Sequence, residues 1–222
     1  MGTVLTDDFA GCLAKEFVLR LLDKFSVKIS EHEWASVFAR CIGADWSSSE
    51  CRWSVTRKDG IAWCAKIITN CLPHKVKHVV LEFNGFDVGN VHTEEPNQLG
   101  EMILGVWNAR IAEVRKQFAT TRTVVLIKGD DLSTVSVFEE EALRFLSEEY
   151  EWDWNQKDDL EGYVKETGVK RFTWQPHGSR FSITTNVPDN CLKIRICRPP
   201  LLDRDEVLTQ LKFDPSWIEI VA

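Results

Sequence analysis

Three side chains stand out because their types and surroundings suit chemistry on phosphate and activated water. Asp59 opens the turn Asp59-Gly60. Glu82 ends the apolar run Val79-Val80-Leu81 and is followed by Phe83, and Lys66 lies between Ala65 and Ile67 in a similarly apolar stretch. A hard divalent cation such as Mg²⁺ selects carboxylates over thiolates or a histidine cage. An ammonium beside them can orient water and offset phosphate charge. Each residue also has a plain structural role open to it. Asp-Gly suits the positive φ of a tight turn, so Asp59 can be an exposed hairpin tip with no chemistry. A carboxylate ending an apolar strand and a lysine inside one both need partners, so Glu82 and Lys66 can satisfy each other without catalysis.

A second constellation lies downstream in Phe172-Thr-Trp-Gln-Pro-His-Gly-Ser-Arg-Phe181 and on to Ile183. Phe172, Trp174, Phe181 and Ile183 alternate with Thr173, Gln175, Arg180 and Ser182, and His177 sits in the intervening turn. One face is apolar. The other offers arginine and glutamine, the side chains that pair best with guanine and adenine edges, on a two-stranded ribbon that fits a major groove. The same pattern also describes a hairpin whose polar face meets water. Other signatures are missing: there is no G-x-S-x-G, Walker-type loop, G-x-G-x-x-G or H-E-x-x-H. His32, His74, His78 and His92 lack metal-binding spacing, and no C-x-x-C pair occurs.

The elements that would position these groups follow from pattern. Leu13, Phe17, Leu21 and Phe25 recur at helical spacing, and Ser30 with Glu33 forms a capping box before a second helix that Gly43 ends. Segments 51–58, 61–69 and 76–83 read as strands joined by connections too short for helices, which predicts an antiparallel meander with Asp59-Gly60 as its first turn. That meander would bring Glu82 back beside Asp59. An amphipathic helix follows Pro96 through Leu99, Met102, Ile103, Val106, Trp107, Ile111, Val114 and Phe118, with Glu101, Asn108 and Arg115 on a stripe read as solvated. Residues 123–127 form an apolar strand, 137–149 an acidic helix, and 171–175, 180–183 and 191–197 further strands.

Composition bounds the partners. The chain has 222 residues and a formal net charge of -7, with 44% hydrophobic and 27% charged residues, which describes a folded globular chain of one domain. No apolar run approaches the roughly 20 residues that span a bilayer. The start, Met1-Gly2-Thr3-Val4-Leu5-Thr6-Asp7-Asp8, carries no basic-then-apolar leader, so a cytoplasmic location is expected. Cys12, Cys41, Cys64 and Cys197 lie in apolar sequence, as reduced thiols do. The charge is segregated: acids crowd 139–161, whereas Lys165, Lys170, Arg171, Arg180, Lys193, Arg195 and Arg198 face only Glu166 and Asp189. A loose polyanion coat is disfavoured and a local nucleic-acid contact is left open.

The order of helix, three strands, helix and strand over about residues 9–128 resembles the core of the PD-(D/E)XK nuclease superfamily, to which most Type II restriction endonucleases belong. The stretches Lys58-Asp-Gly-Ile-Ala-Trp-Cys-Ala-Lys66 and 172–181 are similar to segments of bacterial restriction enzymes. The resemblance implies an α/β fold with a mixed sheet, an αβββαβ core and a β-rich C-terminal extension. It divides a single domain into N-terminal helices (1–45), nuclease core (46–130) and an acidic helix with a basic DNA-recognition part (131–222). It implies Mg²⁺-dependent, site-specific hydrolysis of double-stranded DNA by a homodimer, with Asp59 and Glu82 as metal ligands and Lys66 beside the water. Gln175, His177, Arg180, Ser182 and Asn84 would contact DNA. The acid-x-lysine element departs from the family pattern. Glu82-Phe83-Asn84 lacks the lysine, and Cys64-Ala65-Lys66 lacks the acid. A relocated acid from Glu82, Glu101 or Asp45 could complete the second version. Two other functions remain open: a DNA-binding module without catalysis, and a protein-interaction domain working through 139–161.

Overall fold

The computed structural model describes residues 3–24, 28–47, 53–69, 74–82, 95–130, 132–197, 203–212 and 214–217. Two helices lead, α1 (Asp7–Lys24) and α2 (Glu31–Ile42). Ser30 and Glu33 cap α2 reciprocally, and Gly43 ends it at φ 63°, where only a residue without Cβ is unstrained. Strands β1 (Asp45–Trp46), β2 (Val55–Arg57) and β3 (Ile61–Thr69) come next, followed by β4 (Lys75–Glu82), helix α3 (Pro96–Val114), β5 (Thr120–Lys128) and β6 (Thr134–Glu141). Strands β7 (Tyr150–Trp154), β8 (Leu160–Val164), β9 (Lys170–Gln175), β10 (Arg180–Asn186) and β11 (Leu192–Arg195) complete the β structure, and helix α4 (Arg204–Gln210) follows. No helix among the described residues is long and apolar enough to cross a membrane.

The class is mixed α and β, built on two sheets. The first has the order β1-β2-β3-β5-β6-β11 and the second β4-β10-β9-β8-β7. Only β3 and β5 run parallel, in register Ile61 with Thr120 through Thr69 with Lys128; the other pairs are antiparallel. One face of the first sheet is covered by α1 and α2, where Trp34, Phe38 and Trp63 join Val124, Leu126 and Val137 in one cluster. The other face meets α3 and the second sheet, through Ala62, Cys64, Leu99, Ile103, Trp107, Trp152, Phe172 and Trp174. Gly100 of α3 and Gly162 of β8 both lie against the ring of Trp152, and an added Cβ at Gly100 would collide with it.

Four expectations change. Of the expected meander the hairpin of β2 and β3 forms, with Gly60 at φ 83° in its turn, and the short β1 pairs with β2 where no strand was expected. The strand expected at 76–83 instead leaves that sheet and pairs with β10, from Arg180 opposite Glu82 to Asn186 opposite Lys75. Burial explains the exchange. Residues Ile61–Lys66 of β3 are buried without alternation, so β3 takes a neighbour that is equally apolar, and β5 is buried from Thr123 to Lys128. Val76, His78 and Val80 of β4 point inward while Lys75, Lys77 and Glu82 are exposed, which suits a sheet with one solvated face.

The acidic helix expected at 137–149 is instead strand β6, then irregular chain, a single 3₁₀ turn at Ser147–Glu149 and the edge strand β7. Val135 and Val137 alternate with Ser136 and Phe138, a period of two that the glutamate run masks. Two smaller expectations also differ. Cys197 is exposed, not apolar-packed. The stripe on α3 is only partly solvated: Asn108 exchanges hydrogen bonds of 2.7 and 2.8 Å with the Phe145 backbone, and Arg115 reaches Glu141 at 2.8 Å.

Candidate functional site

Asp59, Glu82 and Lys66 lie in three separate ion pairs. Asp59 sits exposed at the hairpin tip, where Arg57 Nε donates to it at 2.9 Å and holds its carboxyl below the usual range. Glu82 is exposed at the end of β4, with Arg180 Nε 3.4 Å from its Oε1. The antiparallel return that was to join Glu82 to Asp59 does not form, because β4 belongs to the other sheet. Lys66 is buried to 7% side-chain exposure, and its Nζ donates at 2.8 Å to Glu31, the first residue of α2. The need for a carboxylate was legible at Lys66; its identity was not, since Glu31 lies 35 residues away.

The remaining candidates divide similarly. Cys64 is buried, while Asp45 and Glu101 are exposed on β1 and α3. On the hairpin, Arg180 and His177 are exposed, and Gln175 Nε2 lies 3.5 Å from Asp159. Ser182 does not face solvent. It is fully buried opposite Thr173, and among the described residues the hydroxyl oxygens of both have no hydrogen-bond partner, so this step of the ribbon cannot reach a base. Asn84 falls outside the described residues.

Around Lys66 the layer between the sheets holds a buried polar seam that spacing did not reveal. His78 of β4 is 4% exposed. Burial first, then the charges of Lys66 and Arg171, push its imidazole down to about 3, so the ring is neutral near pH 7. Glu140 of β6 lies 3.6 Å from its Nε2. That is too long for a hydrogen bond, and a neutral ring makes no ion pair. Burial raises the Glu140 carboxyl, opposed by the charge of Arg171 and a 3.1 Å hydrogen bond donated by Thr185 Oγ1.

Arg171 reaches the seam through a bulge. The pairing of β8 with β9 passes from Gly162–Phe172 to Tyr163–Lys170 and skips it, and a residue at such a break can be re-aimed. Its guanidinium donates to the Thr184 carbonyl at 2.6 Å. His78, Thr123, Glu140, Arg171, Trp107 and Phe145 line a cavity of about 30 Å³, enough for about two water molecules. His78 Nδ1 is buried with no hydrogen-bond partner among the described residues.

The seam can hold and move protons, and Lys66 presents a cation beside Glu31, which is 52% exposed. Among the described residues no group of three His, Cys, Asp or Glu side chains is placed to hold a metal ion. The chain matches no protein-family model, and no curated protein or solved structure matches it either.

Proposed function

We propose that the protein acts on double-stranded DNA through a restriction-endonuclease-like core, hydrolysing phosphodiester bonds at the end of β3 where Lys66 meets Glu31. The observation that carries this reading is the placement of Cys64-Ala65-Lys66. It lies on β3, antiparallel to β2 and parallel to β5, the strand that follows α3. Lys66 is the lysine of the version of the family pattern in which the acid is relocated. There a buried ammonium would offset phosphate charge and hold a water, with Glu31 as its counter-charge at the surface. The reading calls for a divalent cation, and cutting both strands of a duplex calls for a homodimer.

A second reading is DNA binding without hydrolysis. Its support is that the acids Asp59 and Glu82 are each engaged by an arginine, far from a common ligand set. The protein-interaction reading through 139–161 is weakened, because Glu139 is engaged by Arg122 and Trp63 and Glu140 lies between the sheets. Incubation with plasmid DNA, with Mg²⁺ and with EDTA, separates the first two. Discrete metal-dependent fragments support hydrolysis, retarded but intact DNA supports binding alone, and no interaction at low salt overturns both.

A further inference from the structure

The basic residues of the C-terminal third do not act as one patch. Lys170 is 3.0 Å from Glu161, Arg180 is paired with Glu82, and Arg171 is turned inward. Lys193 and Arg195 remain exposed on β11, and neither has an ion-pair partner among the described residues. Leu192 and Ile194, between which they alternate, pack on the helix-covered core, so the two cations share the opposite face of this edge strand.

A distant segment adds two more. Lys75 and Lys77 on β4 alternate with the inward Val76 and His78; both are exposed and likewise have no ion-pair partner among the described residues. Strand β4 ends the second sheet and β11 ends the first. The link 187–191 between β10 and β11 ties them together. Val187 N donates at 2.9 Å to the carbonyl of His74, next to Lys75. Val187 and Cys191 pack with Val76 and Phe138 in one small cluster. The same link lines a concavity of about 340 Å³ with Thr3, Arg122, Asn190 and Leu192. Glu139 in its wall is already engaged by Arg122 at 2.7 Å, which leaves Asp189 as the exposed acid of the link.

We propose that Lys75, Lys77, Lys193 and Arg195, carried on the two end strands β4 and β11 that the link 187–191 ties together, form a docking surface for the phosphate backbone of double-stranded DNA. The proposal rests on the DNA reading above and assigns it a face. Charge complementarity selects the partner: uncompensated cations of one sign on neighbouring strand edges concentrate a polyanion. A membrane is disfavoured, because none of the exposed large apolar side chains among the described residues lies on these segments.

The test is binding of a short fluorescent duplex, without added divalent metal, over a series of salt concentrations. The proteins compared are the wild type, K75Q/K77Q, K193Q/R195Q, the quadruple variant, and a control, K15Q/K157Q, at exposed lysines elsewhere. Each lost phosphate contact lowers the slope of log affinity against log salt by about 0.9, so the quadruple variant is expected to lose about 2 to 4 from the slope and at least tenfold in affinity. The control keeps both, and thermal melting of every variant stays at the wild-type value because the substituted side chains are exposed. Wild-type binding that the quadruple variant retains with an unchanged slope overturns this surface while the DNA reading stands. A wild type that binds no duplex at low salt overturns both.

Discussion

The two faces of the first sheet are built on opposite principles. Against α1 and α2 the layer is mainly apolar: Trp34, Phe38, Trp63, Val124, Leu126 and Val137 fill it, and the buried Glu139 is met by Arg122, Trp63 and Thr3. Burial pushes the Glu139 carboxyl up, but the hydrogen bonds from Trp63 and Arg122 outweigh it and hold it below the usual range. Against the second sheet the layer is apolar only around α3. Toward β4 and β6 it carries Lys66, His78, Glu140 and Arg171, with a buried nitrogen on His78 that no group among the described residues satisfies. The contrast marks the helix-covered face as the apolar packing layer and the face between the sheets as the one that holds a polar seam.

The largest effect is expected on the first face. Trp34 is fully buried, with its Nε1 3.4 Å from the Val124 carbonyl, and Trp34→Ala should cost about 3–5 kcal/mol in urea unfolding. A loss below about 1 kcal/mol would break the assignment. Next comes an asymmetry at Lys66 and Glu31. Glu31→Gln strands a buried ammonium and should cost about 1–3 kcal/mol, whereas Lys66→Met leaves a half-exposed carboxylate that water can serve and should change stability by less than about 1.5 kcal/mol. Equal costs for the two variants would show that Lys66 is a structural group first.

A smaller effect depends on pH. An imidazole ordinarily titrates near 6.5, whereas folded His78 is pushed down to about 3. The unfolded chain therefore binds a proton between those values that the native protein does not. Stability falls as pH drops through that window, by about 1.4 kcal/mol per pH unit from this residue. Glu140, whose carboxyl is raised, acts in the opposite sense: its contribution is lost as pH climbs above the ordinary carboxylate range. Urea midpoints of wild type and His78→Gln between pH 4 and 7 should diverge with about that slope; parallel profiles would remove the buried neutral histidine from the account. The smallest effect is at Asp59. Its partner Arg57 shares the hairpin tip, so Asp59→Ala should leave the urea midpoint nearly unchanged, and should leave any DNA cleavage unchanged.

What could be read from the sequence was local. The capping box of α2, the Asp59-Gly60 turn, the amphipathic run of α3 and the hairpin of β9 and β10 each depend on residues within a few positions of one another. The partner of β4 depends on β10, over a hundred residues later, and no short-range pattern chooses between two sheets. The glutamates of 139–141 hid the alternation of β6, because polarity suggested a solvated helix where Glu139 and Glu140 each have an interior partner. At the site, Lys66 in an apolar strand announced a buried ammonium, and that reading holds. The carboxylate beside it comes from the start of α2, because the helix lies across the sheet; spacing along the chain pointed to Glu82 instead.

The central claim is that Lys66 is the chemical group and Asp59 is a turn residue. Its most direct measurement is Mg²⁺-dependent cleavage of plasmid DNA by wild type, Lys66→Met and Asp59→Ala, each shown to be folded by its melting transition. The account predicts fragments from wild type and Asp59→Ala and intact DNA from Lys66→Met. Cleavage that survives Lys66→Met, or that is lost with Asp59→Ala, would contradict it.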